Sequence, residues 1–234
     1  MLAIIGGTGF SSLAVTDGGM ETTAFGDVYM ETGELHETPV VFVPRHGNPP
    51  RYPPHKINYR AIIQALFDAG VDGIIAVNTV GSVDETLSVP GLVIPDQIID
   101  YTWGRQQTFH DDQIVHVDLT HPYDPVLRTL LCDAAAGYPT RTDGVYGCTQ
   151  GPRLETAAEI RRLRKDGCHI VGMTAMPEAG LARERGIPYA AICVVINAGA
   201  GIKNRIIDMD ETRRSLDTGM GWVRDVLIRV VQST

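Results

Sequence analysis

Groups that bind anions recur in this sequence directly after short apolar runs. They combine threonine hydroxyls, an arginine, a histidine and an asparagine, and the first follows a glycine-rich turn. Such groups donate hydrogen bonds to phosphate and to polar heterocycles, and in open α/β sheets ligands bind beyond the carboxyl ends of the strands. The pattern therefore predicts one pocket for an anion and a heterocycle. The positions are Thr8, Arg45, His46, Thr79, Thr174 and Asn197.

No single one of these motifs is diagnostic. The glycine-rich turn at residues 6–9 places Ser12 where a dinucleotide fingerprint has its third glycine or alanine, which disfavours an oxidoreductase. Alone, this turn is as compatible with a tight structural turn as with a phosphate cradle. Arg45 beside His46, taken alone, is better explained as a surface pair. The chain carries no nucleophile elbow, zinc-protease or P-loop motif.

The composition is that of a globular protein and excludes several classes. The 234 residues are 44% hydrophobic and 21% charged, with a net charge of −8. The longest basic run is residues 161–165, so nucleic acid binding is disfavoured. The longest apolar run, residues 189–196, is too short to cross a membrane. The four cysteines show neither metal-ligand spacing nor a disulfide framework, so we expect no metal and a cytoplasmic location.

Strand-length apolar runs alternate with helical patterns along the chain. The runs are rich in Val and Ile, which is typical of strands buried on both faces. We therefore predict an α/β fold, a single domain over residues 1–234 with a central mixed, largely parallel β-sheet flanked by helices. The predicted strands are residues 2–5, 40–43, 73–77, 92–94, 169–173 and 190–196.

The helical patterns carry their own end signals. Two of them end in basic residues followed by glycine, which satisfies the last carbonyls and complements the helix dipole. Residues 48–55 contain four prolines, which predicts an exposed loop in place of a helix or central strand. The predicted helices are residues 57–69, 154–166, 176–185 and 208–232, the last interrupted near residues 219–221.

Taken together, eight segments resemble the trimeric purine nucleoside phosphorylases, and within them the methylthioadenosine phosphorylase branch. They occur in family order and span nearly the whole chain. The resemblance implies a nucleoside phosphorylase fold and phosphorolysis, in which phosphate attacks C1′ of a purine nucleoside or thionucleoside. It also implies a homotrimer and no metal or organic cofactor. The segments are IIGGTGF (4–10), PRHG (44–47), KINYRAIIQAL (56–66), NTVGS (78–82), PGLVIPDQIIDYT (90–102), QGPRLETAAE (150–159), GMTAMPEAGLARE (172–184) and the strand end at Asn197.

The resemblance also implies roles for individual residues. It places Met173 under the ribose and Leu154 among the substrate contacts. Phosphate attacking a cationic, oxocarbenium-like sugar would need orientation and electrostatic stabilisation, without a covalent enzyme intermediate. The phosphate ligands implied are Thr8, Arg45, His46, Thr79 and Thr174.

The base contacts depart from the adenine-using branch. Those enzymes have aspartate at the position of Asn197 and again two residues later, whereas this chain has Asn197-Ala198-Gly199. An asparagine amide can donate to N7 and suits a 6-keto oxygen. Glu155 matches the acid that accepts from ring N1–H in 6-oxopurine enzymes. Glu155 is also compatible with a simpler role, an acid in the first turn of a helix.

The 5′ end favours a different sugar from that of inosine. The resemblance places Met209 or a neighbouring residue where inosine enzymes have a histidine, and an apolar side chain prefers methylthio to hydroxyl. His116 matches a residue that reaches the 5′ site of a neighbouring subunit, and it is equally compatible with a surface position. Asn197, Glu155 and Met209 together predict S-methyl-5′-thioinosine as the substrate, giving hypoxanthine and 5-methylthioribose 1-phosphate.

Three alternatives remain open from the sequence. The chain could use inosine and guanosine, or it could use methylthioadenosine. It could also be a non-catalytic nucleoside-binding domain that retains the pocket without turnover.

Overall fold

The computed structural model describes residues 1–10, 15–202 and 206–233, and within them a sheet of eleven strands runs through the molecule. The strand order is β2-β3-β4-β1-β5-β10-β9-β7, with β11 joining β5 to β6, and β6 pairing with β8. The strands are β1 (Leu2–Gly6), β2 (Val15–Thr23), β3 (Gly26–Leu35), β4 (Thr38–Pro44), β5 (Gly73–Ser82), β6 (Gly91–Val93), β7 (Gln97–Asp100), β8 (Thr140–Arg141), β9 (Val145–Cys148), β10 (Ile170–Gly172) and β11 (Tyr189–Ala198).

The sheet is mixed and largely parallel, as predicted. Among the described strands, six pairings are parallel and four are antiparallel. The central strands β4, β1, β5 and β11 all run in the same direction. In register, Gly6 lies opposite Pro44, and Ile5 lies opposite Ala76. The carboxyl termini of these strands therefore lie side by side at the same end of the sheet.

Helices cover both faces of the sheet. Inward-facing residues of the helices at 59–68 (α1) and 175–184 (α4) share a core with Ile5 and Val43. Those of the helices at 125–134 (α2) and 209–231 (α5) share another core with Ile4 and Phe42. Successive strand residues thus face opposite layers, which explains the continuous apolar runs in the sequence. The helices are α1 (Tyr59–Asp68), α2 (Pro125–Ala134), α3 (Ala157–Lys165), α4 (Ala175–Glu184) and α5 (Met209–Val231).

Capping residues set the helix ends. The Asn58, Asp124 and Asp208 side chains accept hydrogen bonds from amides in the first turns of α1, α2 and α5. Thr156 and Glu159 form a capping box at α3. The glycines that follow α1, α3 and α4, at positions 70, 167 and 186, have positive φ, in agreement with the predicted stop signals.

The predicted interruption of the last helix is wrong. Helix α5 is continuous from Met209 to Val231. Gly219 is buried in it, and a Cβ at this position would overlap the side chain of Val194 in β11. The glycine therefore allows close packing of a helix on a strand and does not mark a break.

Other elements were not predicted. The β2–β3 hairpin is rich in Gly, Thr, Glu and Met, so it lacks a buried-strand signal. Helix α2 was also missed. Most of residues 48–55 form a loop, as predicted, but a short 3-10 helix, Pro54–Lys56, begins at its end. No described helix is long and apolar enough to cross a membrane.

Candidate active site

One cavity of about 220 Å³ lies at the carboxyl ends of β1, β4, β5 and β11. The loop before α3 and the residues that follow β10 complete its lining. Nine of the residues predicted to bind substrate or phosphate line it, so positions far apart in the chain come together as the strand-end pattern predicted. They are Thr8, Arg45, His46, Thr79, Leu154, Glu155, Met173, Thr174 and Asn197.

Three threonines line the cavity. Thr8 follows β1 in a turn where a Cβ on Gly7 would lie 2.8 Å from the carbonyl oxygen of Val77. Glycine at position 7 therefore lets the turn approach β5 closely. Thr79 lies within β5, and Thr174 is the residue before α4, whose backbone its hydroxyl does not cap.

Arg45 lines the cavity and is buried, and a carboxylate that no sequence motif indicated holds its side chain. Its Nε donates to Oε2 of Glu178 at 2.7 Å, and its Nη2 donates to Oε1 at 2.9 Å. Nη2 also donates to Oδ1 of Asn78, and Nη1 donates to the carbonyl oxygen of Val77. Burial alone would lower the pKa of Arg45, but the adjacent Glu178 charge raises it above its ordinary value.

The guanidinium is therefore not an open fork for phosphate. The bidentate edge faces Glu178, and Nη1 is the nitrogen next to the glycine-rich turn, 2.9 Å from where a Cβ of Gly7 would lie. Contact between Arg45 and phosphate remains a prediction, confined to Nη1. Glu178 is completely buried in an otherwise apolar stretch of α4, and this charge among buried positions was the available signal.

His46 is held in one orientation by the loop that follows it. Its Nδ1 lies 2.8 Å from the carbonyl oxygen of Tyr52. A carbonyl only accepts hydrogen bonds, so Nδ1 carries the proton and Nε2 is left as the acceptor of a neutral ring. Burial lowers the pKa of His46, and the positive charge of Arg45 adds to that shift, so the ring is neutral at pH 7.

Glu155 lines the cavity, and Thr149 bonds to it from outside the lining. The hydroxyl of Thr149 donates to Oε1 of Glu155 at 2.6 Å, and the carboxylate is only half-buried. Glu155 lies before α3, and the acid in the first turn of that helix is Glu159. The alternative interpretation of Glu155 as a first-turn acid is therefore wrong.

Asn197 lines the same cavity from an irregular part of β11. The register between β11 and β5 shifts between Val195 and Asn197, which is a β-bulge. The Nδ2 atom of Asn197 donates to the carbonyl oxygen of Ala198 at 2.9 Å, and its second proton remains for a ligand. Asn197 also lines a second cavity, which lies against residues 85–89.

Met173 contributes an apolar side chain to the cavity lining. Its thioether packs on Gly151, where any side chain would overlap the sulfur. Pro152 and Ile196 add further apolar lining. The lining therefore combines polar groups with apolar side chains.

Two predicted residues do not line the cavity. Met209 is the first residue of α5 and is 62% exposed, because the cap at Asp208 begins the helix there; Ile207 is the residue of this segment that lines the cavity. The role of Met209 or a neighbouring residue at the 5′ site remains a prediction, and Ile207 is the neighbour that lines the cavity. His116 lies exposed in the irregular segment after β7, and its role toward a neighbouring subunit remains a prediction.

The described residues contain no group of three or more His, Cys, Asp or Glu side chains placed to hold a metal ion. The four cysteines, at positions 132, 148, 168 and 193, are all free. Burial raises the pKa of the Cys148 thiol to about 12, and its sulfur accepts a hydrogen bond from the amide of Met176. This thiol therefore has a structural role beside the cavity.

The fold and the cavity define an α/β protein that binds a small ligand at its strand ends. The chain belongs to the phosphorylase superfamily, whose family profile matches residues 2–228. It is 44% identical over 242 residues to a probable S-methyl-5′-thioinosine phosphorylase of Pseudomonas syringae, covering 99% of this chain and 98% of that protein. It is 43% identical over 222 residues to a 6-oxopurine nucleoside phosphorylase of Pyrococcus furiosus, covering 90% of this chain and 84% of the relative.

Solved structures give the same result. The methylthioadenosine phosphorylase of Schistosoma mansoni, in complex with tubercidin, superposes with a TM-score of 0.92 at 30% identity. The match covers 99% of this chain and 90% of that one. The predicted family and fold class are thereby confirmed.

Proposed function

We propose that this protein catalyses the phosphorolysis of S-methyl-5′-thioinosine to hypoxanthine and 5-methylthioribose 1-phosphate. A phosphate oxygen forms a bond to C1′ while the bond from C1′ to N9 breaks. The bonding electron pair leaves with the base, which then takes up a proton. The observation that carries the proposal is one cavity lined by hydroxyl and cationic donors together with Asn197 and Glu155. We place phosphate at the end formed by the threonines and Arg45, and the base at the end formed by Asn197 and Glu155.

The threonine end binds phosphate. The hydroxyls of Thr8, Thr79 and Thr174 donate to its oxygens, and Nη1 of Arg45 supplies a further donor. The Nε2 atom of the neutral His46 ring accepts a hydrogen bond from the hydroxyl of monohydrogen phosphate. Because Glu178 balances the charge of Arg45, hydroxyl and backbone donors provide much of the affinity at this end.

The other end binds a 6-oxopurine. The free Nδ2 proton of Asn197 donates to the base, and Glu155 accepts from N1–H. Adenine lacks N1–H, so its N1 lone pair would face a carboxylate. Leaving a buried polar group unpaired discriminates by a factor of about 10⁴ or more in favourable cases.

The ribose lies over Met173, with its 5′ substituent near Ile207. Apolar side chains favour a methylthio group over a hydroxyl, which loses its hydrogen bonds to water when buried. Ile207, a neighbour of Met209, supplies the 5′ contact, and the expected substrate is S-methyl-5′-thioinosine.

Catalysis follows from orientation and charge. The bound phosphate anion faces the developing positive charge of the sugar, and donors at the base end stabilise the negative charge on the leaving purine. We further propose that the reaction uses no metal or organic cofactor. The neutral donors and the single arginine are sufficient for binding phosphate.

We also propose a cytoplasmic homotrimer in which His116 reaches a neighbouring cavity. The free cysteines support a reducing compartment. The exposed apolar side chains near His116, namely Ile114 (90% exposed) and Trp103 (72% exposed), support contact with another copy. Sedimentation tests this assembly, and a fully active monomer would contradict it.

The deciding experiment compares base release from S-methyl-5′-thioinosine, methylthioadenosine, inosine and guanosine, with and without phosphate. We expect methylthioinosine to have the highest kcat/KM and release to require phosphate. Higher kcat/KM with methylthioadenosine would overturn the base assignment. Tight binding without release of any base would support a non-catalytic binding domain.

A further inference from the structure

Arg105 contacts the candidate active site from outside. It lies in the irregular segment between β7 and α2 and is not among the residues that line the cavity. Its guanidinium nevertheless donates to backbone carbonyls on two segments that line the cavity. We call residues 149–155 the base-side segment and residues 172–176 the ribose-side segment.

The first set of contacts is with the base-side segment. Nη2 of Arg105 donates to the carbonyl oxygens of Gln150 at 2.9 Å and of Thr149 at 3.4 Å. Nε donates to the side-chain Oε1 of Gln150 at 3.1 Å. These bonds hold the backbone just before Leu154 and Glu155, which line the cavity.

The second set is with the ribose-side segment. Nη1 donates to the carbonyl oxygens of Met173 at 2.9 Å and of Met176 at 2.5 Å. Met176 has non-helical dihedral angles inside α4, so the helix is kinked there. The bonds enclose Thr174, one of the threonines at the phosphate end.

A third branch reaches another part of the lining. Nη1 lies 3.2 Å from the hydroxyl oxygen of Tyr59, and that hydroxyl donates to the carbonyl oxygen of Pro54 at 3.0 Å. The guanidinium also lies over the Tyr59 ring, 5.5 Å from its centroid. Pro54 also lines the cavity.

The acceptors of Arg105 are neutral. No ion pair joins it to a carboxylate within residues 1–10, 15–202 and 206–233. A planar guanidinium fixes the directions of five N–H groups, whereas an ammonium offers three donors from one point. Lysine at this position has a single nitrogen, so it cannot reproduce the bonds that Nη1 and Nη2 make to two separate segments.

We infer that Arg105 is a positioning residue that fixes the distance between the base-side and ribose-side segments. It touches no substrate, and it keeps Glu155 in register with Met173 and Thr174. This inference rests on the proposed function, because both segments must engage one nucleoside and its phosphate. A misplacement of about 1 Å at a reacting centre lowers rates by about 100-fold.

The test compares Arg105→Lys with Arg128→Lys. Arg128 is a matched control, since it also donates to backbone carbonyls, those of Pro95, Ile94 and Thr142, away from the cavity. We expect Arg105→Lys to lower kcat/KM for methylthioinosine by about 100-fold, chiefly through kcat. Arg128→Lys should stay within about threefold of the parent protein. Equal effects of the two substitutions on kcat/KM would overturn the inference.

Hydrogen exchange supplies a readout that does not depend on turnover. Arg105→Lys should speed amide exchange in both segments together, and Arg128→Lys should leave both unchanged. Unchanged exchange in the two segments of Arg105→Lys contradicts the inference. If the parent protein releases no base from any nucleoside, the proposed function fails, and exchange still decides whether Arg105 couples the segments.

Tyr59→Phe provides a milder variant should Arg105→Lys fail to fold. It removes one hydroxyl and leaves the guanidinium bonds to both segments in place. We expect kcat/KM to fall by several-fold, with faster exchange at residues 54–56 only. Loss of more than about 100-fold, or faster exchange throughout the chain, would show that Tyr59 supports the fold and would contradict the branched arrangement.

Discussion

Glu178 engages Arg45 through both carboxylate oxygens while each side chain is at most 1% exposed. The hydroxyl of Tyr189 donates to Oε1 of Glu178 at 2.8 Å, so the carboxylate is bonded to three donor atoms. A buried pair of this kind stabilises poorly compared with apolar residues of equal volume, yet breaking it leaves one charge without a partner.

We predict that Arg45→Met and Glu178→Met each lower the free energy of unfolding by about 3–5 kcal/mol. The double substitution should be less destabilising than the sum of the two, because neither charge remains. Urea unfolding of the four proteins measures this coupling. Additive effects would show that the two side chains do not depend on each other.

The second prediction concerns His46 and pH. The pKa of His46 in the folded protein lies below its ordinary value of 6.5 because the ring is buried. Above pH 6.5 the ring is neutral in both states, and it does not affect stability. As the pH falls below 6.5, the unfolded chain binds the proton first, so stability decreases until the folded protein is protonated too.

His46→Asn should reduce this loss of stability below pH 6.5, because the amide donates to Tyr52 but does not titrate. Unfolding in urea at pH 7.5, 6.5 and 5.5 measures the slope. Exposed His121, replaced by Asn, is the control and should leave the slope unchanged. An identical slope in the parent protein and His46→Asn would refute the assignment.

The third prediction tests Asn197. Asn197→Asp replaces the free amide donor by a carboxylate, which repels a base that leaves with negative charge. We expect kcat/KM for 6-oxopurine substrates to fall by at least about 100-fold. The thermal midpoint should hardly change, since the residue is only half-buried. Hypoxanthine release at the parent rate would contradict the base assignment.

The fourth prediction concerns the hydrogen bond between Thr149 and Glu155. Thr149→Val removes the hydroxyl that orients the carboxylate, so kcat/KM for methylthioinosine should fall by about tenfold. Thr129→Val is a suitable control because the Thr129 hydroxyl bonds only to a carbonyl within α2. A decrease shared by both variants would point to a general effect on folding.

The fifth prediction distinguishes Ile207 from Met209 at the 5′ end. Ile207→His adds a polar group to the cavity lining, and the kcat/KM ratio of inosine to methylthioinosine should rise by about tenfold. Met209→His should leave this ratio within about twofold. The opposite ranking would return the 5′ contact to Met209.

Much of the fold could be predicted because the central strands are buried on both faces. Apolar residues then fill nearly every position, as in β1 and β11. The β2–β3 hairpin is largely exposed at the edge of the sheet, and its mixed composition carries no such signal. Gly219 was misread because a glycine required by contact with Val194 looks like a helix break in sequence.

The sequence indicates which residues line the cavity, but it does not indicate which side chains bond to each other. Thr8 follows β1, while Thr79 and Asn197 lie among the last four residues of β5 and β11, and the topology brings them together. Glu178 was missed because a charge in a helix usually faces water, and only the tertiary structure turns it toward Arg45. Which residue of the segment around Met209 lines the cavity depends on the cap at Asp208, which sets where α5 begins.

The bulge in β11 makes the base contact depend on chain length as well as on residue type. One additional residue between Val195 and Asn197 changes the alternation against β5. Deleting Ile196 would leave Asn197 opposite Gly81 in regular pairing, and it would also remove one apolar residue of the cavity lining. Substrate choice in such a protein can therefore change through a single-codon deletion that leaves Asn197 and Glu155 in place.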